Sequence, residues 1–260
     1  METVNLTGRK ALVVGIANEH SLAWAAARRF RDAGVDLAVT YLNDKAKPYV
    51  EPLAREAGAE IFMPLDVTVP GQLEAVFEAV KKTWGRLDIL FHSIAWARKE
   101  DLRGRLVDCS PDGFAESMVI SCYSLIRMAH LAEPLMDKGG SIQTLTYYGA
   151  DKVVDHYNVM GPVKAALEAS VRYLAHELGP KDIRVNAISA GAVQTRAASG
   201  IAHFDALLNE SVRESPLRRR VESDEIGRLA LALASNLTSA VTGGIIYADA
   251  GFHIEGMVFH

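Results

Sequence analysis

The sequence has little cysteine, no long apolar run and no excess of basic residues, and each shortage argues against a class of protein. Its 260 residues include two cysteines, Cys109 and Cys122, and neither has a second cysteine or a histidine at metal-ligand spacing. No stretch approaches the roughly 20 apolar residues of a membrane-spanning helix. The formal net charge of −4 offers no basic surface to nucleic acid. We therefore expect a cytoplasmic protein without a metal site, a membrane span or a nucleic-acid partner.

The first ten residues also lack the apolar core of a signal peptide, and no linker, repeat or low-complexity segment interrupts the chain. Hydrophobic residues make up 49% of the sequence, which is ample for a buried core. Charged residues make up 23% and are too well mixed for disorder. The length fits one large α/β domain, so we predict a single domain over residues 1–260. The short run Arg218–Arg220 is interpreted as a solvated face.

Short apolar runs alternate with longer helical patterns along most of the chain. Most runs are continuous in Val, Ile and Leu, as in strands of a sheet covered on both faces. The predicted strands are Lys10–Ile16, Asp36–Tyr41, Glu60–Leu65, Leu87–His92, Ser141–Thr146, Arg184–Ser189 and Gly244–Ala248. The predicted helices are Ser21–Ala33, Lys47–Ala57, Gly71–Trp84, Pro111–Met136, Asn158–Leu178 and Ser223–Ser235. This alternation predicts a Rossmann-like α/β fold, a doubly wound sheet of about seven parallel strands with helices on both faces.

Two segments depart from this alternation of strands and helices, and each follows the carboxyl end of a strand. The first, residues 95–110, is rich in charge, and the second, residues 191–216, is a long insertion with a short apolar helical pattern around Phe204 and Leu208. Ligands of open α/β sheets bind outside the carboxyl ends of the strands. Long loops at that edge are often functional. We predict a helical substrate-binding lid at about residues 191–216.

The turn after the first strand is a candidate dinucleotide site, although it lacks the Gly-x-Gly-x-x-Gly fingerprint. It keeps one glycine, Gly15, while small Ala17 and Ala23 permit close backbone approach. Ser21 is placed to cap the following helix and to donate to a phosphate held at the helix N-terminus. An ordinary strand-to-helix turn with a serine cap fits the same residues. Position alone leaves both interpretations open.

The end of the second strand bears on the choice between NADH and NADPH. An acidic residue there favours NADH, whereas an arginine favours the 2′-phosphate of NADPH. Here Leu42 stands at the strand tip without an arginine, while Lys45 and Lys47 keep NADPH possible. We predict NADH. Asp66, after the third strand, is either an adenine contact or a turn residue.

Tyr147, Tyr157 and Lys164 surround the junction between the fifth strand and the next helix. Seven residues along a helix are almost two turns, which would put Tyr157 and Lys164 on one face, about 10 Å apart along the axis. An ammonium near a phenol stabilises any phenolate, and the pair can polarise a carbonyl oxygen. Two tyrosines and a lysine can equally lie near a helix start without a catalytic role. The remaining motifs must decide between the two.

These motifs together resemble the bacterial enoyl-acyl-carrier-protein reductases, a divergent branch of the short-chain dehydrogenase/reductase superfamily. The resemblance covers essentially the whole chain, in order and without large gaps. The matching stretches are Gly15–Trp24, Asp66–Val67, His92–Ala97, Tyr147, Tyr157–Lys164, Arg184–Gly191, Ala197–Ile201 and Asp249–Phe252. The Gly-x5-Ser-x-Ala loop combined with Tyr-x6-Lys is specific to this branch.

Ordinary members of the superfamily differ in the spacing of their active-site residues. They carry Tyr-x3-Lys with a serine about thirteen residues upstream, but four residues after Tyr157 stands Gly161. Tyr148 and Lys152 do satisfy Tyr-x3-Lys. The residues between them read as a loop and no serine stands near the required position, so we interpret that match as coincidence.

The resemblance implies reduction of the trans-2 double bond of an enoyl thioester on acyl carrier protein, in fatty acid elongation. Tyr157 would hydrogen-bond the thioester oxygen, and Lys164 would bind the nicotinamide ribose and support the tyrosine. Tyr147 would lie near the substrate and the hydride path. His156 beside Tyr157 is interpreted as a surface loop residue rather than a general acid.

By position, the resemblance also assigns binding residues. Those for the cofactor are Gly15, Ser21, Leu22, Leu42, Asp66, Val67, Ile94, Lys164, Val193, Gln194, Thr195, Arg196 and Ala197. Those for the substrate are Ala97, Tyr147, Tyr157, Met160, Ala198, Ile201 and Phe204. Each apolar member would serve equally well as a core residue. No metal is expected.

Family members pack two long helices across subunit interfaces, so the resemblance implies a homotetramer built on Pro111–Met136 and Asn158–Leu178. Alternatively, these helices simply cover the sheet. Met118-Val119 and Gln194 depart from the family pattern and raise the possibility of an altered substrate range. Two other functions stay open: reduction of a ketone or oxidation of an alcohol by an ordinary short-chain dehydrogenase/reductase, and nucleotide binding without redox chemistry.

Overall fold

The computed structural model describes residues 4–195 and 204–256. Its strands form one sheet in the order β3-β2-β1-β4-β5-β6-β7, and every neighbouring pair is parallel. The strands are β1 Lys10–Val14, β2 Asp36–Tyr41, β3 Ile61–Pro64, β4 Ile89–His92, β5 Gly140–Thr146, β6 Ile183–Ala190 and β7 Ile245–Ala248. The order reverses between β1 and β4, which is the Rossmann arrangement with its ligand crevice at that point.

Helices cover both faces of the sheet. They are α1 Leu22–Asp32, α2 Lys47–Glu56, α3 Gln72–Trp84, α4 Lys99–Arg103, α5 Pro111–Met118, α6 Ser124–Ala132, α7 Met160–Leu178, α8 Phe204–Glu214 and α9 Ser223–Ala234. A π-helical segment, Val119–Tyr123, joins α5 to α6. No helix within the described ranges is long and apolar enough to cross a membrane.

Two apolar cores lie on opposite faces because successive strand residues point to opposite sides. Leu12 of β1 joins the core under α3, α6 and α7, whereas its neighbour Val13 joins the core under α1, α2 and α9. In the second core Phe30 packs edge-on against Phe91 with ring centroids 6.1 Å apart. Burying a side chain of this size contributes about 1.5–3 kcal/mol. The predicted sheet with helices on both faces is therefore confirmed.

The structure corrects several predicted boundaries. The predicted helix Pro111–Met136 is divided into α5, the π segment, α6 and a short 3-10 turn. The predicted helix at Asn158 begins only at Met160, since His156 and Asn158 have left-handed φ angles of 65° and 44° that an α-helix does not contain. The charged segment 95–110, predicted as a loop, contains the short helix α4.

Candidate active site

The carboxyl ends of β1, β4, β5 and β6 meet at one edge of the sheet, and the predicted site residues follow them. Gly15 follows β1, Ser93 follows β4, Tyr147 follows β5 and Gly191 follows β6. The Ser93 amide donates to the Val14 carbonyl at 3.0 Å, so the β1 and β4 turns lie against each other. The parallel sheet thus brings together segments that are far apart in sequence.

Gly15 is required by this close approach. Its φ angle is 104°, a conformation that residues with a side chain rarely adopt. A Cβ added there would lie 1.9 Å from the Ser93 carbonyl oxygen. The turn therefore leaves bare backbone facing the crevice, as a bound diphosphate needs.

Ser21 lies at the start of α1, but its side chain does not cap the helix as the sequence predicted. Its Oγ accepts hydrogen bonds from the backbone N–H groups of Ala17 (2.9 Å) and Asn18 (3.0 Å), so it holds the turn before the helix. The side chain makes no capping bond to the first turn of α1. The first N–H groups of a helix have no partner within the helix and attract anions.

The residues predicted for the adenosine end follow β2 and β3. Leu42 is 53% exposed directly after β2. The Asp66 carboxylate accepts from the Thr68 N–H (2.9 Å) and hydroxyl (2.6 Å), which makes it a turn residue. Val67, the next residue, is half-buried and packs against the core under α3, α6 and α7. Ile94, after β4, packs against the core under α7.

Tyr147, which is half-buried, and Tyr157, which is buried, pack against each other. Tyr147 follows β5, whereas Tyr157 lies in the turn before α7, and their ring centroids are 4.9 Å apart at 62°. Gly149 allows this packing, because a Cβ there would lie 2.5 Å from Cδ1 of Tyr157. Tyr157 is not on the helix that carries Lys164, so the predicted spacing of two helical turns is wrong.

Both phenols stay protonated. Burial raises the pKa of Tyr147 to about 12, with a further contribution from Asp249. Burial raises the pKa of Tyr157 still further above its usual range, with contributions from Tyr147 and Glu168. The lowering of a phenol pKa that was expected from Lys164 is therefore not found. The pair offers hydrogen-bond donors rather than a base.

Lys164 is 5% exposed in the first turns of α7. Its Nζ donates to the Leu145 carbonyl at 2.7 Å, which places the amine under the end of β5. Burial lowers its pKa to about 8, and the nearby Glu168 carboxylate opposes that shift. Glu168 itself accepts a 2.7 Å bond from the Thr146 hydroxyl, beside Tyr147.

His92, at the end of β4, is buried and was not predicted as a site residue. Its Nδ1 lies 2.9 Å from Thr144 Oγ1 and its Nε2 lies 2.8 Å from Ser124 Oγ. Because the Ser124 hydroxyl donates to the Ile120 carbonyl, Nε2 is assigned as the donor and Nδ1 as the acceptor. Burial lowers the pKa of His92 to about 3, so the ring is neutral. It ties β4 and β5 to the helix behind them.

The π segment is held against the segment after β4. Ser121 Oγ accepts from the Trp96 N–H at 2.8 Å and donates to the Trp96 carbonyl at 3.0 Å. This contact fixes the chain next to Ala97, a predicted substrate residue. The sequence contained no signal for this contact, because a serine in a helical pattern is common.

The predicted substrate residues divide into two groups. Tyr147, Tyr157, Met160 and Ala97 share one apolar cluster beside the tyrosine pair. Phe204 is half-buried at the start of α8. Ala198 and Ile201, and the predicted cofactor residues Arg196 and Ala197, lie outside the described residues.

The loop after β6 carries the predicted cofactor residues Val193, Gln194 and Thr195, which lie directly after the strand end. Val193 and Gln194 line a cleft together with His20 of the β1 loop and Arg220. The two loops predicted to hold the cofactor therefore face one space.

The alternative patterns do not form a site. Tyr148 packs edge-on against Phe252, while the exposed Lys152 pairs with Asp151 at 3.0 Å. His156 is exposed. Among residues 4–195 and 204–256, no group of three His, Cys, Asp or Glu residues is placed to hold a metal ion.

Comparison with known proteins agrees with this geometry. The family model described as "Enoyl-(Acyl carrier protein) reductase" matches residues 15–253, which include both crevice loops and the tyrosine pair. The chain belongs to the enoyl-acyl-carrier-protein reductase family. This confirms the family and the Rossmann-like fold predicted from the sequence.

Members of this family are similar over nearly the full length. The protein is 48% identical to "Enoyl-[acyl-carrier-protein] reductase [NADH] 1" of Rhizobium meliloti, over 97% of this chain and 93% of the relative. It resembles the solved Anaplasma phagocytophilum reductase in complex with NAD, with a TM-score of 0.93 and 48% identity over 97% of this chain and 96% of the other. The Bacillus cereus reductase with NADP+ and an indole naphthyridinone gives a TM-score of 0.94 and 43% identity, over 99% and 100%.

Proposed function

We propose that this protein reduces the trans-2 double bond of enoyl-acyl-carrier-protein thioesters with NADH, in fatty acid elongation. The observation that carries the proposal is the packed pair of neutral phenols, Tyr147 and Tyr157, after β5 in a member of this family, with the buried Lys164 amine held at the end of the same strand. The pair lies at the edge of the sheet where Gly15 opens the crevice. We further propose that residues 1–260 form one catalytic domain, with α8 as part of a substrate lid.

The residues present fit a dinucleotide. Gly15 leaves backbone where a Cβ could not stand, and the first turn of α1 presents N–H groups toward a diphosphate. The Ser21 hydroxyl accepts two backbone bonds and donates a long one, 3.4 Å, to Asn18 Oδ1, which a phosphate oxygen would have to replace. Asp66 and Val67 would border the adenine, while Ile94, Val193, Gln194 and Thr195 would border the nicotinamide half.

NADH fits the adenosine end better than NADPH. Discrimination for a 2′-phosphate needs a cation beside the ribose, and Leu42 presents an apolar side chain there. Lys47 lies over the ring of Tyr41, 5.7 Å from its centroid. Lys45 is exposed in the turn after Leu42 and is the remaining candidate for a phosphate contact.

Tyr157 acts where negative charge develops on the substrate. When bound, NADH would supply a hydride for Cβ of the enoyl thioester, and the negative charge left on the thioester oxygen would be lost once Cα takes up a proton. A neutral phenol directed at that oxygen stabilises the charge, and its raised pKa keeps it a donor over the working pH range. A single preorganised donor of this kind contributes about 100-fold to 1000-fold in rate.

Lys164 and Tyr147 complete the site. The Lys164 amine is held at the end of β5 by the Leu145 carbonyl, and its remaining hydrogens would bind the nicotinamide ribose hydroxyls. Tyr147 packs on the Tyr157 ring and excludes water from its phenol. Ala97, Met160 and Phe204 supply apolar surface for the acyl chain, with Ala97 and Met160 in the cluster around Tyr157.

We also propose that the carrier protein is the physiological partner and that the enzyme is a cytoplasmic homotetramer. Three exposed apolar side chains form a stripe on one side of the helical run after α5: Val119 and Tyr123 of the π segment and Ile126 of α6. Tyr173 of α7 is also 71% exposed. The sheet is covered by other residues of these helices, such as Leu125 and Leu167. The outer stripe is thus available to a second copy.

The decisive experiment measures oxidation of NADH, and separately NADPH, with a short trans-2-enoyl thioester and with a 3-ketoacyl thioester. We expect oxidation with the enoyl compound alone and a preference for NADH. Oxidation with the ketone alone would show the ordinary dehydrogenase reaction instead. Cofactor binding without turnover of either thioester would make the protein a nucleotide-binding scaffold.

Two tyrosine variants test which phenol donates the hydrogen bond to the thioester oxygen. Tyr157→Phe removes the donor, so kcat should fall by about 100-fold or more while the Kd for NADH stays within about twofold. Tyr148→Phe, the tyrosine of the alternative motif, should leave kcat near normal. Loss of activity in Tyr148→Phe alone would contradict the assignment, and loss of NADH binding in Tyr157→Phe would mean that the phenol serves the cofactor.

A further inference from the structure

Asn158 follows Tyr157 directly and has an unusual backbone conformation. Its φ angle is 44°, in the left-handed region that asparagine tolerates better than most residues. Around it the Tyr157 N–H donates to the Val154 carbonyl at 3.2 Å, and the Met160 N–H donates to the Tyr157 carbonyl at 3.0 Å. The turn that carries the phenol is therefore tightly wound just before α7.

The Asn158 side chain leaves this turn and reaches α4. Its Nδ2 donates to the Leu102 carbonyl at 2.7 Å, across 56 positions in sequence. Leu102 lies in the last turn of α4, where carbonyls have no partner within the helix. The amide thus supplies a donor that the end of α4 needs, and it holds the Tyr157 turn at a fixed distance from α4.

The α4 segment is itself firmly fixed, so the bond has a rigid anchor. The buried Asp101 carboxylate accepts from the Ser110 N–H (2.8 Å) and hydroxyl (3.0 Å), and Arg98 pairs with Glu116 of α5. The Leu102 side chain packs in the same apolar cluster as Tyr157 and Ala97. The Asn158 bond therefore ties the turn that carries the phenol to a fixed segment.

We propose that Asn158 is a positioning residue for the reaction: its bond to Leu102 couples the segment 95–110, which walls the acyl site, to the orientation of the Tyr157 phenol. The proposal rests on the proposed function. Asn158 acts through Tyr157 and α4 and does not touch the reacting atoms. Disruption of its bond should therefore lower turnover without lowering the affinity for NADH.

Asn158→Gly separates the bond from the backbone conformation, because glycine keeps the left-handed φ and lacks the amide. We expect kcat with the enoyl thioester to fall about 10-fold to 100-fold, as for a misplaced reacting group, with the Kd for NADH unchanged. Asp182→Gly is the matched control: Asp182 is also left-handed, with φ 58°, but lies at the start of β6. It should keep the wild-type kcat.

Asn158→Asp provides a readout that loss of fold would not give. Its carboxylate has no hydrogen to donate to the Leu102 carbonyl, whereas the protonated carboxyl has one. The ratio of its kcat to that of wild type should rise as the pH falls toward 5, and the same ratio for Asn158→Gly should stay flat. A flat ratio for Asn158→Asp, or wild-type kcat in Asn158→Gly, would overturn the proposal.

Hydrogen exchange tests the coupling without any turnover. In Asn158→Gly, amides of residues 99–104 and of residues 154–160 should both exchange faster than in wild type, while those of β6 stay unchanged. Unchanged exchange in either segment overturns the coupling. If the wild type fails to reduce enoyl thioesters while both segments exchange faster, the proposed function fails and the coupling stands.

Discussion

Burial raises the pKa values of Tyr147 and Tyr157 but lowers that of Lys164. The charged form of each group is disfavoured, so the phenols stay protonated and the ammonium loses its proton more easily. His92, also buried, has its pKa lowered to about 3. Of these four groups, Lys164 therefore titrates nearest to neutral pH.

This predicts the basic limb of the pH profile. If the ammonium is the form that binds the ribose, kcat/KM for NADH should fall as pH rises through about 8, the pKa of free-enzyme Lys164. Glu168→Gln removes the carboxylate that opposes the shift, so the limb should move to lower pH. Lys164→Arg stays charged and should show no limb up to pH 10. If neither variant moved the pH at which kcat/KM falls, the fall would come from the titration of another group.

The same shift affects stability with a definite sign. The pKa of Lys164 is lower in the folded protein than in the unfolded chain, so the unfolded state binds more protons between about pH 8 and pH 10.4. The free energy of unfolding therefore gains from rising pH in that window, through this group, by about 3 kcal/mol in total. Below pH 8 the full cost of the buried ammonium remains.

At the scale of elements, the site depends on how short segments fit between β5 and α7. The 3-10 turn Tyr148–Ala150 carries Gly149 against the rings of both tyrosines. Behind them, Ser121 of the π segment hydrogen-bonds the Trp96 backbone, and Ser124, the first residue of α6, hydrogen-bonds His92. A regular helix from Pro111 to Met136, as the sequence predicted, would change the register of these two contacts.

Gly149→Ala tests the fit of the 3-10 turn. The added Cβ would lie 2.5 Å from Cδ1 of Tyr157, so the ring must move. We expect kcat to fall about 100-fold and stability to fall by about 1–3 kcal/mol, measured by steady-state kinetics and denaturant unfolding. Gly179→Ala, at the end of α7, meets no atom within 4 Å and is the control. Wild-type kcat in Gly149→Ala would show that the ring position is not critical.

At the scale of the whole molecule, the outer face of α5–α6 and α7 remains apolar after the sheet is covered. Val119, Tyr123 and Ile126 follow each other at intervals of four and three residues, which places them on one side of the helix. Exposed apolar stripes of this kind mark association surfaces. The face also adjoins the π segment that supports the site.

We therefore expect light scattering to give four times the chain mass of 28.2 kDa at micromolar concentration. Tyr123→Asp puts a charge into the stripe and should lower the measured mass. Tyr49→Asp, at a tyrosine of α2 that is 61% exposed, should not change it. A stable monomer in the wild type would contradict the homotetramer.

The sequence by itself determined the order and type of most elements, because the alternation of apolar runs with helical patterns does not depend on how the elements pack. Gly15, Tyr147, Tyr157 and Lys164 were predicted as site residues through the family resemblance, and their roles stay predictions. The turn before α7 was missed, because the left-handed conformations at His156 and Asn158 leave no trace in a helical pattern. The division of the helix after Pro111 was missed for a similar reason.

Only the tertiary structure decided how these residues act. Burial, which no sequence pattern measures, keeps both phenols protonated and makes Lys164 the group that titrates. Contacts across long separations, such as those of Asn158 with Leu102 and of His92 with Thr144 and Ser124, exist because the parallel sheet gathers distant segments at one edge. Spacing along the chain carries no information about such contacts, since their geometry depends on the packing of every element between them.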